Sequence, residues 1–193
     1  MLIGISSAQG QGKSTVISSL SEAGYRVIQS QTSRAILEEW NTSLAEIDTK
    51  PELRMEFQDE IFNRHHDLIK PFAESSEVYF VERTFSDIFT YTVISLGLYN
   101  EFSDWIETYY SRCKNAQGLF SGICVLSGLD QIESDGVRSI NRHFAELVSD
   151  RIKHYTIDMQ FNGDKNVLLL NEPDHNKRLE RILHFVSNNY GRI

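Results

Sequence analysis

Residues 7–15 read Ser7-Ala8-Gln9-Gly10-Gln11-Gly12-Lys13-Ser14-Thr15, which places two glycines beside a lysine and two hydroxyl residues. The apolar run from Leu2 to Ile5 precedes them and predicts a short buried strand. An amphipathic helical pattern follows and ends at Gly24, with its apolar face at Val16, Ile17, Leu20 and Ala23. Glycines let the backbone wrap closely around phosphate oxygens, and a helix N terminus presents N–H groups to them. Strand, turn and helix together predict a phosphate-binding loop.

This stretch resembles a Walker A loop, whose pattern is G-x-x-x-x-G-K-[ST]. The resemblance assigns Lys13 to the β- and γ-phosphates of a nucleotide and the Ser14 hydroxyl to Mg²⁺. The other candidate nucleotide-binding residues are Gln9, Gly10, Gln11, Gly12 and Thr15. Ser7 stands where the pattern has glycine, and because serine resists positive φ we expect an altered entry to the loop. The alternative is a glycine-rich turn with an accidental Gly-Lys-Ser, but the order of strand, loop and helix favours nucleotide binding.

The composition is that of one globular domain, residues 1–193, with 40% hydrophobic residues. Nineteen basic and 27 acidic residues give a net charge of −8, which disfavours binding to duplex nucleic acid. Since neither a signal peptide nor a run of about eighteen apolar residues is present, we expect a cytoplasmic protein that does not bind membranes. We expect Cys113 and Cys124 to be reduced, with Cys124 in the core.

Five short apolar runs predict β-strands, at Leu2–Ile5, Tyr25–Ile28, Val78–Val81, Ile123–Leu126 and Val167–Leu170. Three further helical stripes comprise Leu53, Phe57, Ile61, Leu68 and Ile69; Ile140, Phe144, Leu147, Val148 and Ile152; and Leu179, Ile182, Leu183 and Val186. Strands that alternate with helices predict an α/β fold with a parallel sheet covered on both faces. The alternating segment from Tyr155 to Phe161 fits a strand or a loop.

Ligands of parallel sheets bind beyond the carboxyl ends of the strands, so the residues after each predicted strand are candidates for chemistry. Glu82-Arg83-Thr84 follows the third strand and resembles the Asp/Glu-Arg-Ser/Thr signature of P-loop nucleoside kinases. The resemblance makes Glu82 a general base or an organiser of Mg²⁺, and gives Arg83 the neutralisation of phosphate charge. The alternative is a surface ion pair in a loop.

Three residues near helix starts are candidate contacts to the acceptor substrate. Gln31 and Arg34 follow the second strand. Arg34 fits two roles equally well, substrate binding or helix capping with solvent exposure. Asp87 opens the helix after the third strand, where a carboxylate binds a sugar hydroxyl or favours the helix dipole.

The segment from about residue 128 to residue 153, after the fourth strand, is the predicted lid. Arg138 and Arg142 lie four residues apart on one helical face that would close over the transferring phosphoryl group. The alternative is a solvated arginine face, which explains Arg142 equally well. His65 and His66 lack the further ligands that a metal site needs, so we expect both at the surface.

Together these motifs resemble the small kinase-type AAA domains, the group that includes the kinase domain of ribosylnicotinamide kinases. The resemblance rests on residues 10–15, 31–34, 82–87 with Tyr91, and 135–139. It implies a P-loop NTPase fold with five parallel strands in the order 2-3-1-4-5, helices on both faces and a helical lid. It also implies ATP and Mg²⁺ as cofactors, and a loop at Asn171-Glu172-Pro173 that borders the adenine. The family usually has Glu where this chain has Gln31, Asp where it has Glu82 and Gly where it has Ser7. These departures leave the predicted fold unchanged and leave the identity of the acceptor open.

The expected function is ATP-dependent phosphorylation of a small-molecule acceptor, a nucleoside or a (deoxy)nucleoside monophosphate. The alternative acceptors are ribosylnicotinamide and a hydroxymethylated base in DNA, and the acidic charge counts against the DNA. A different class is a regulatory module that binds ATP without catalysis. A homodimer is compatible with the sequence.

Overall fold

The computed structural model describes residues 1–30, 32–129, 141–160 and 166–191. Its strands are β1 (Leu2–Ser7), β2 (Arg26–Ile28), β3 (Tyr79–Glu82), β4 (Phe120–Ser127) and β5 (Val167–Asn171). They form one parallel sheet in the order β2-β3-β1-β4-β5. The five strands and their order confirm the prediction, and the C-terminal ends of β1 and β3 lie side by side at the centre of the sheet.

The helices are α1 (Lys13–Glu22), α2 (Thr32–Glu39), α3 (Leu44–Asp48), α4 (Pro51–Ile69), α5 (Phe85–Leu96), α6 (Ser103–Gln117), α7 (Arg142–Met159) and α8 (His175–Tyr190). Short 3₁₀ turns occupy Lys70–Phe72 and Asn100–Phe102. The sequence supplies the caps: Asn141 and Asp174 accept N–H groups of the first turns of α7 and α8, and Pro51 opens α4. Gly24, with φ 88°, ends α1 as predicted.

The segment that fitted a strand or a loop is helical as far as Met159. Ile152, Thr156 and Met159 are buried at a spacing of three to four residues, which is the helical period, and this burial outweighs the local alternation. Leu147 was predicted on the buried stripe of this helix, but its side chain is 50% exposed. The buried face runs through Ala145, Val148 and Ile152, so Leu147 points away from it.

Helices cover both faces of the sheet. α1 and α8 pack on one face, against Ile3 and Ile5 of β1. On the other face, Leu2 belongs to a core shared with helices α2 to α7. Alternate residues of β1 therefore reach opposite layers, as a strand buried on both faces requires.

Both cysteines are completely buried, and Cys124 is part of the core as predicted. Burial raises the pKa of both thiols, because the thiolate form is poorly solvated there. In the part of the chain that the structure describes, no helix is long and apolar enough to span a bilayer.

The expected surface position of His65 is wrong, because its side chain is 0% exposed. Its Nδ1 lies 3.1 Å from Ser30 Oγ, and its ring packs edge-on against Phe85 at 5.2 Å between centroids. Burial, with the nearby Arg83 charge, lowers the pKa of His65 to about 3, so the ring is neutral at physiological pH. His66 is half-buried and stacks on Phe62.

Candidate active site

The phosphate loop, residues 7–15, joins β1 to α1 at the centre of the sheet. Gly10 and Gly12 have φ values of 74° and 77°, which explains why glycine stands at both positions. Among the described residues, the only non-glycine residues with positive φ are Asn41 and Arg83. Ser7 therefore adopts an ordinary backbone conformation, so the entry of the loop does not need positive φ at this position.

Lys13 is the first residue of α1 and is 8% exposed. A lysine in a surface loop is expected to face solvent, and for Lys13 this expectation is wrong because the loop folds around it. Gln9 and Gln11 are buried to the same degree, at 8% and 7% exposure, whereas Ser14 and Thr15 are exposed. The loop thus encloses its lysine and presents its hydroxyl groups.

Ser14 and Glu82 meet across the gap between the phosphate loop and β3. The Ser14 hydroxyl donates a hydrogen bond to Glu82 Oε1 at 3.1 Å. Glu82 is the last residue of β3, which pairs with β1, so the sheet brings the carboxylate beside the loop. A hydroxyl and a carboxylate are oxygen ligands of the kind that Mg²⁺ prefers, so the donor set fits this metal.

Arg83 follows Glu82 and has a left-handed backbone conformation, with φ 73°. Such a conformation strains a residue that carries a side chain, and it is common at functional sites. The N–H of Arg83 donates to the Ile5 carbonyl at 3.1 Å, and the buried His65 lies near its charge. The packed surroundings therefore hold the strained turn, which aims the guanidinium into the cavity next to the loop.

The first cavity has a volume of about 500 Å³ and opens between α2, α4 and α5. Gln9 of the phosphate loop and Arg83 line its inner end, so the cavity reaches the loop directly. Its walls are apolar and aromatic, formed by residues that include Leu37, Phe57, Ile61, Ile88, Tyr91 and Phe144. Its remaining charged and amide side chains are Arg34, Asp48, Arg54 and Gln58.

Gln58 is 3% exposed and lines the first cavity. Its backbone carbonyl accepts a hydrogen bond from Tyr109 at 2.7 Å, but its side-chain amide makes no hydrogen bond to any described residue. Arg54, one turn earlier, forms an ion pair with Asp48, and its buried Nε has no hydrogen-bond partner within the described residues. Buried polar groups are normally satisfied, so the Arg54 Nε at this cavity is a group that a polar ligand could satisfy.

Two smaller cavities flank the loop. The second, about 250 Å³, lies beside α1 and is lined by Ser14, Glu82, Arg83 and Arg34 among others. The third, about 330 Å³, lies on the other side and is lined by Gln11, Leu129, Arg142 and Asn171 among others. Arg34 borders the first and second cavities, whereas Arg142, the lid residue that is also a candidate substrate contact, borders only the third, so the two arginines lie apart.

Arg142 is exposed and forms an ion pair with Glu146 at 2.9 Å within α7. Gln31 and Arg138, predicted as a substrate contact and a lid arginine, lie outside the described residues. The helical part of the predicted lid segment, from residue 142 to residue 153, packs on the core through the buried Val148 and Ile152.

Asp87 is 1% exposed, and both its carboxylate oxygens accept hydrogen bonds from the protein. Oδ2 accepts from the N–H and hydroxyl of Thr84, at 2.7 Å and 3.0 Å, in a capping box for α5. Oδ1 accepts from the N–H of Ser7 at 3.2 Å. This geometry places the carboxylate at the N terminus of α5, as the helix-dipole alternative requires, and Asp87 does not line the first cavity.

Three residues that line the first cavity were not predicted from the sequence: Gln58, Arg54 and Asp48. The available signal was the pair Arg54 and Gln58, polar residues four apart beside the apolar stripe of α4. Asp48 had no signal, because its role depends on how α3 packs against α4.

No protein-family model matches the sequence, and no curated protein sequence matches it. Solved structures do match. The deoxyadenosine kinase of M. mycoides with bound dATP superimposes with a TM-score of 0.68 at 16% identity, over 97% of this chain and 100% of that one. The NadR protein in complex with NR gives 0.71 at 12% identity, over 100% of this chain but only 52% of NadR. Shikimate kinase from Aquifex aeolicus gives 0.52 at 14% identity over 99% of both chains. The chain therefore has the fold of the P-loop kinases.

Proposed function

We propose that this protein transfers the γ-phosphoryl group of ATP to a small acceptor that carries a planar heterocycle, a nucleoside or a (deoxy)nucleoside monophosphate. One observation carries the proposal: a cavity of about 500 Å³ runs from Gln9 of the phosphate loop and the neighbouring Arg83 to the buried side chain of Gln58. Such a cavity places one end of a bound molecule at the loop and its other end among aromatic walls.

The phosphate loop supports the donor assignment. Its backbone N–H groups, the N terminus of α1 and Lys13 together supply positive charge where the triphosphate would lie. The third cavity, between Gln11 and Asn171, lies at the ends of β4 and β5 and suits the base of the donor. Ser14 and Glu82 would hold Mg²⁺, which when bound neutralises phosphate charge.

The first cavity supports the acceptor assignment. An amide offers one acceptor and two donors in a plane, which matches the adjacent donor and acceptor on the edge of a nucleobase. Phe57, Tyr91 and Phe144 supply apolar and aromatic surface for the ring faces. Arg34 and Arg83, at the loop end, supply positive charge for a phosphate or for the group that receives the phosphoryl.

The position of Glu82 supports a direct part in the reaction. A carboxylate beside Ser14 and at the edge of the second cavity can accept a proton from an acceptor hydroxyl, or it can hold Mg²⁺. Arg83 would neutralise the charge on the transferring phosphoryl group, a contribution that grows as the transition state forms. The neighbouring structures are consistent with this chemistry, since two of them are named for the phosphorylation of small molecules.

The test is a panel of acceptors with ATP and Mg²⁺, in which ADP release is measured with and without each acceptor. The panel holds nucleosides, deoxynucleosides, their monophosphates, ribosylnicotinamide and DNA with a hydroxymethylated base. We expect one nucleoside or monophosphate to accelerate ADP release. Binding of ATP with no acceptor-dependent release across the panel would favour a regulatory module, and acceleration by ribosylnicotinamide alone would assign the acceptor to that class.

A further inference from the structure

Arg178 is the largest almost completely buried side chain of the described residues, with 2% of its surface exposed. It lies in the first turn of α8, and among the described residues its guanidinium donates to three backbone carbonyls. Nη1 donates to Gln11 at 2.6 Å, Nη2 donates to Ser127 at 2.7 Å, and Nε donates to Glu172. These carbonyls are 167, 51 and 6 residues away along the chain.

The three carbonyls belong to the three segments that surround the site assigned to the donor nucleotide. Gln11 lies in the phosphate loop, Ser127 ends β4, and Glu172 follows β5. A guanidinium is planar and holds its five N–H donors in fixed directions, so a single side chain sets the relative positions of all three segments. Burial lowers the pKa of this guanidinium and Glu172 raises it, but an arginine remains charged in a protein.

The contact with Gln11 has a consequence for the next residue. Among the described residues no peptide bond is cis, so the N–H of Gly12 points away from the Gln11 carbonyl. Because that carbonyl faces Arg178, the Gly12 N–H faces the opposite side of the loop. A Cβ on Gly12 would lie 3.0 Å from Nη1, so the guanidinium packs directly against the loop.

The side chain of Gln11 contacts Leu129 and makes no bond to the Gln11–Gly12 peptide itself. Its Nε2 donates to the Leu129 carbonyl at 3.1 Å, and its Oε1 accepts from the Leu129 N–H at 3.0 Å. Arg178 is therefore the contact that decides the orientation of the Gln11–Gly12 peptide, while the glutamine side chain anchors the residue to the end of β4.

We propose that Arg178 is a positioning residue for ATP: it orients the Gln11–Gly12 peptide so that the Gly12 N–H is presented to a phosphate oxygen. This inference rests on the proposed function, since it assumes that the loop binds ATP. The guanidinium acts through the backbone and does not touch the nucleotide. A buried positive charge beneath the loop would also attract phosphate, so the experiment separates geometry from charge.

The experiment measures the Kd of ATP with Mg²⁺ by calorimetry for the wild type, R178M, R178K and R181M. Arg181 is exposed on the same helix, so R181M is the matched control. Lysine keeps the charge but presents a compact ammonium that cannot bridge three carbonyls. We expect R178M and R178K both to raise the Kd of ATP about tenfold or more, because each loses charge-assisted hydrogen bonds and misdirects the Gly12 N–H. We expect R181M to leave the Kd unchanged.

Each result decides between the possibilities, provided that circular dichroism shows folded protein at the temperature used. Wild-type affinity in R178K would overturn the positioning role and leave only the charge. Wild-type affinity in R178M would overturn both the positioning role and the charge role. Replacing an arginine that only supports the fold lowers the Tm without changing the Kd of the folded protein. If the wild type itself fails to bind ATP, the proposed function is wrong.

A measurement on the wild type covers the case in which the variants do not fold. In ¹⁵N NMR spectra, we expect saturation with ATP and Mg²⁺ to shift the Gly12 amide and to leave the Arg178 Nε–H in slow exchange. A Gly12 amide that does not move, or an Arg178 Nε–H that exchanges as fast as that of Arg181, would overturn the proposal.

Discussion

The backbone N–H of Ser7 donates a hydrogen bond to Oδ1 of Asp87, 80 residues further along the chain, at 3.2 Å. The other oxygen of the same carboxylate caps α5 through Thr84. Asp87 thereby joins the entry of the phosphate loop to the helix that follows the candidate catalytic residues Glu82 and Arg83. The hydrogen bonds from Ser7 and Thr84 offset the cost of burying this carboxylate.

Asp87→Asn should destabilise the fold by about 1–3 kcal/mol. The amide NH₂ would then face at least one of the N–H groups that donate hydrogen bonds to the carboxylate. Urea denaturation measures this change. Asp104→Asn, at the exposed first turn of α6, is the control and should have little effect. Unchanged stability together with a raised KM for the acceptor would instead support the sugar-binding role.

Lys13→Met should reduce phosphoryl transfer by about 10²-fold or more, since it removes the cation that the loop aims at the developing charge on the phosphates. Methionine fills the buried space that alanine would leave empty around a residue of 8% exposure. Steady-state turnover with the best acceptor is the measurement, and Lys70→Met, at an exposed position, is the control. Near-normal turnover would refute the phosphate-loop assignment.

Glu82→Gln keeps the volume of the side chain and removes its charge, so turnover should fall strongly if this carboxylate takes part in the reaction. With Glu82 as base, added Mg²⁺ should not restore the turnover of the variant. A role in holding Mg²⁺ predicts partial rescue of the variant at higher Mg²⁺ concentration. Glu77→Gln, exposed and paired with Arg26, is the control, and unchanged turnover in Glu82→Gln would remove both roles.

Gln58→Leu should raise the KM of the acceptor about ten- to a hundredfold, because two hydrogen bonds to the heterocycle are lost and each contributes roughly 0.5–1.5 kcal/mol. The KM of ATP should stay at the wild-type value, since Gln58 lines only the first of the cavities. Glu56→Leu, on the exposed side of the same helix, is the control. Equal effects on both substrates would show that Gln58 supports the fold and does not read the acceptor.

His65 predicts a loss of stability at acid pH. Its pKa is lowered from 6.5 to about 3 in the folded protein, so below pH 6.5 the unfolded chain binds a proton that the folded one excludes. Above pH 6.5 the titration of the histidine has no effect on the free energy of unfolding. Between pH 6.5 and pH 3 it lowers the free energy of unfolding by up to about 1.4 kcal/mol for each pH unit. His65→Gln should lose less stability than the wild type between pH 7 and pH 5 in urea denaturation. The exposed His184→Gln should follow the wild type, and identical slopes in all three proteins would contradict the prediction.

Local patterns were sufficient for the framework of the fold. The five strands are short apolar runs, and several helices carry apolar stripes and side-chain caps, so short-range physics specifies much of the framework. The loop from Ser7 to Thr15 was recognisable because its function depends on consecutive residues. Glu82 and Arg83 were found for a related reason, since parallel strands bring the residues that follow them to one edge of the sheet.

The tertiary structure alone decided which polar side chains face a cavity and which support the backbone. Asp87 and Gln58 are both polar residues of helices, yet Asp87 accepts hydrogen bonds from N–H groups of the protein whereas Gln58 lines the first cavity. His65 and Arg178 likewise carry no local sign of burial, because their partners come from segments distant in sequence. Periodicity reports the direction of a side chain on its own element, but whether that direction ends in solvent, a cavity or a carbonyl depends on how the elements pack.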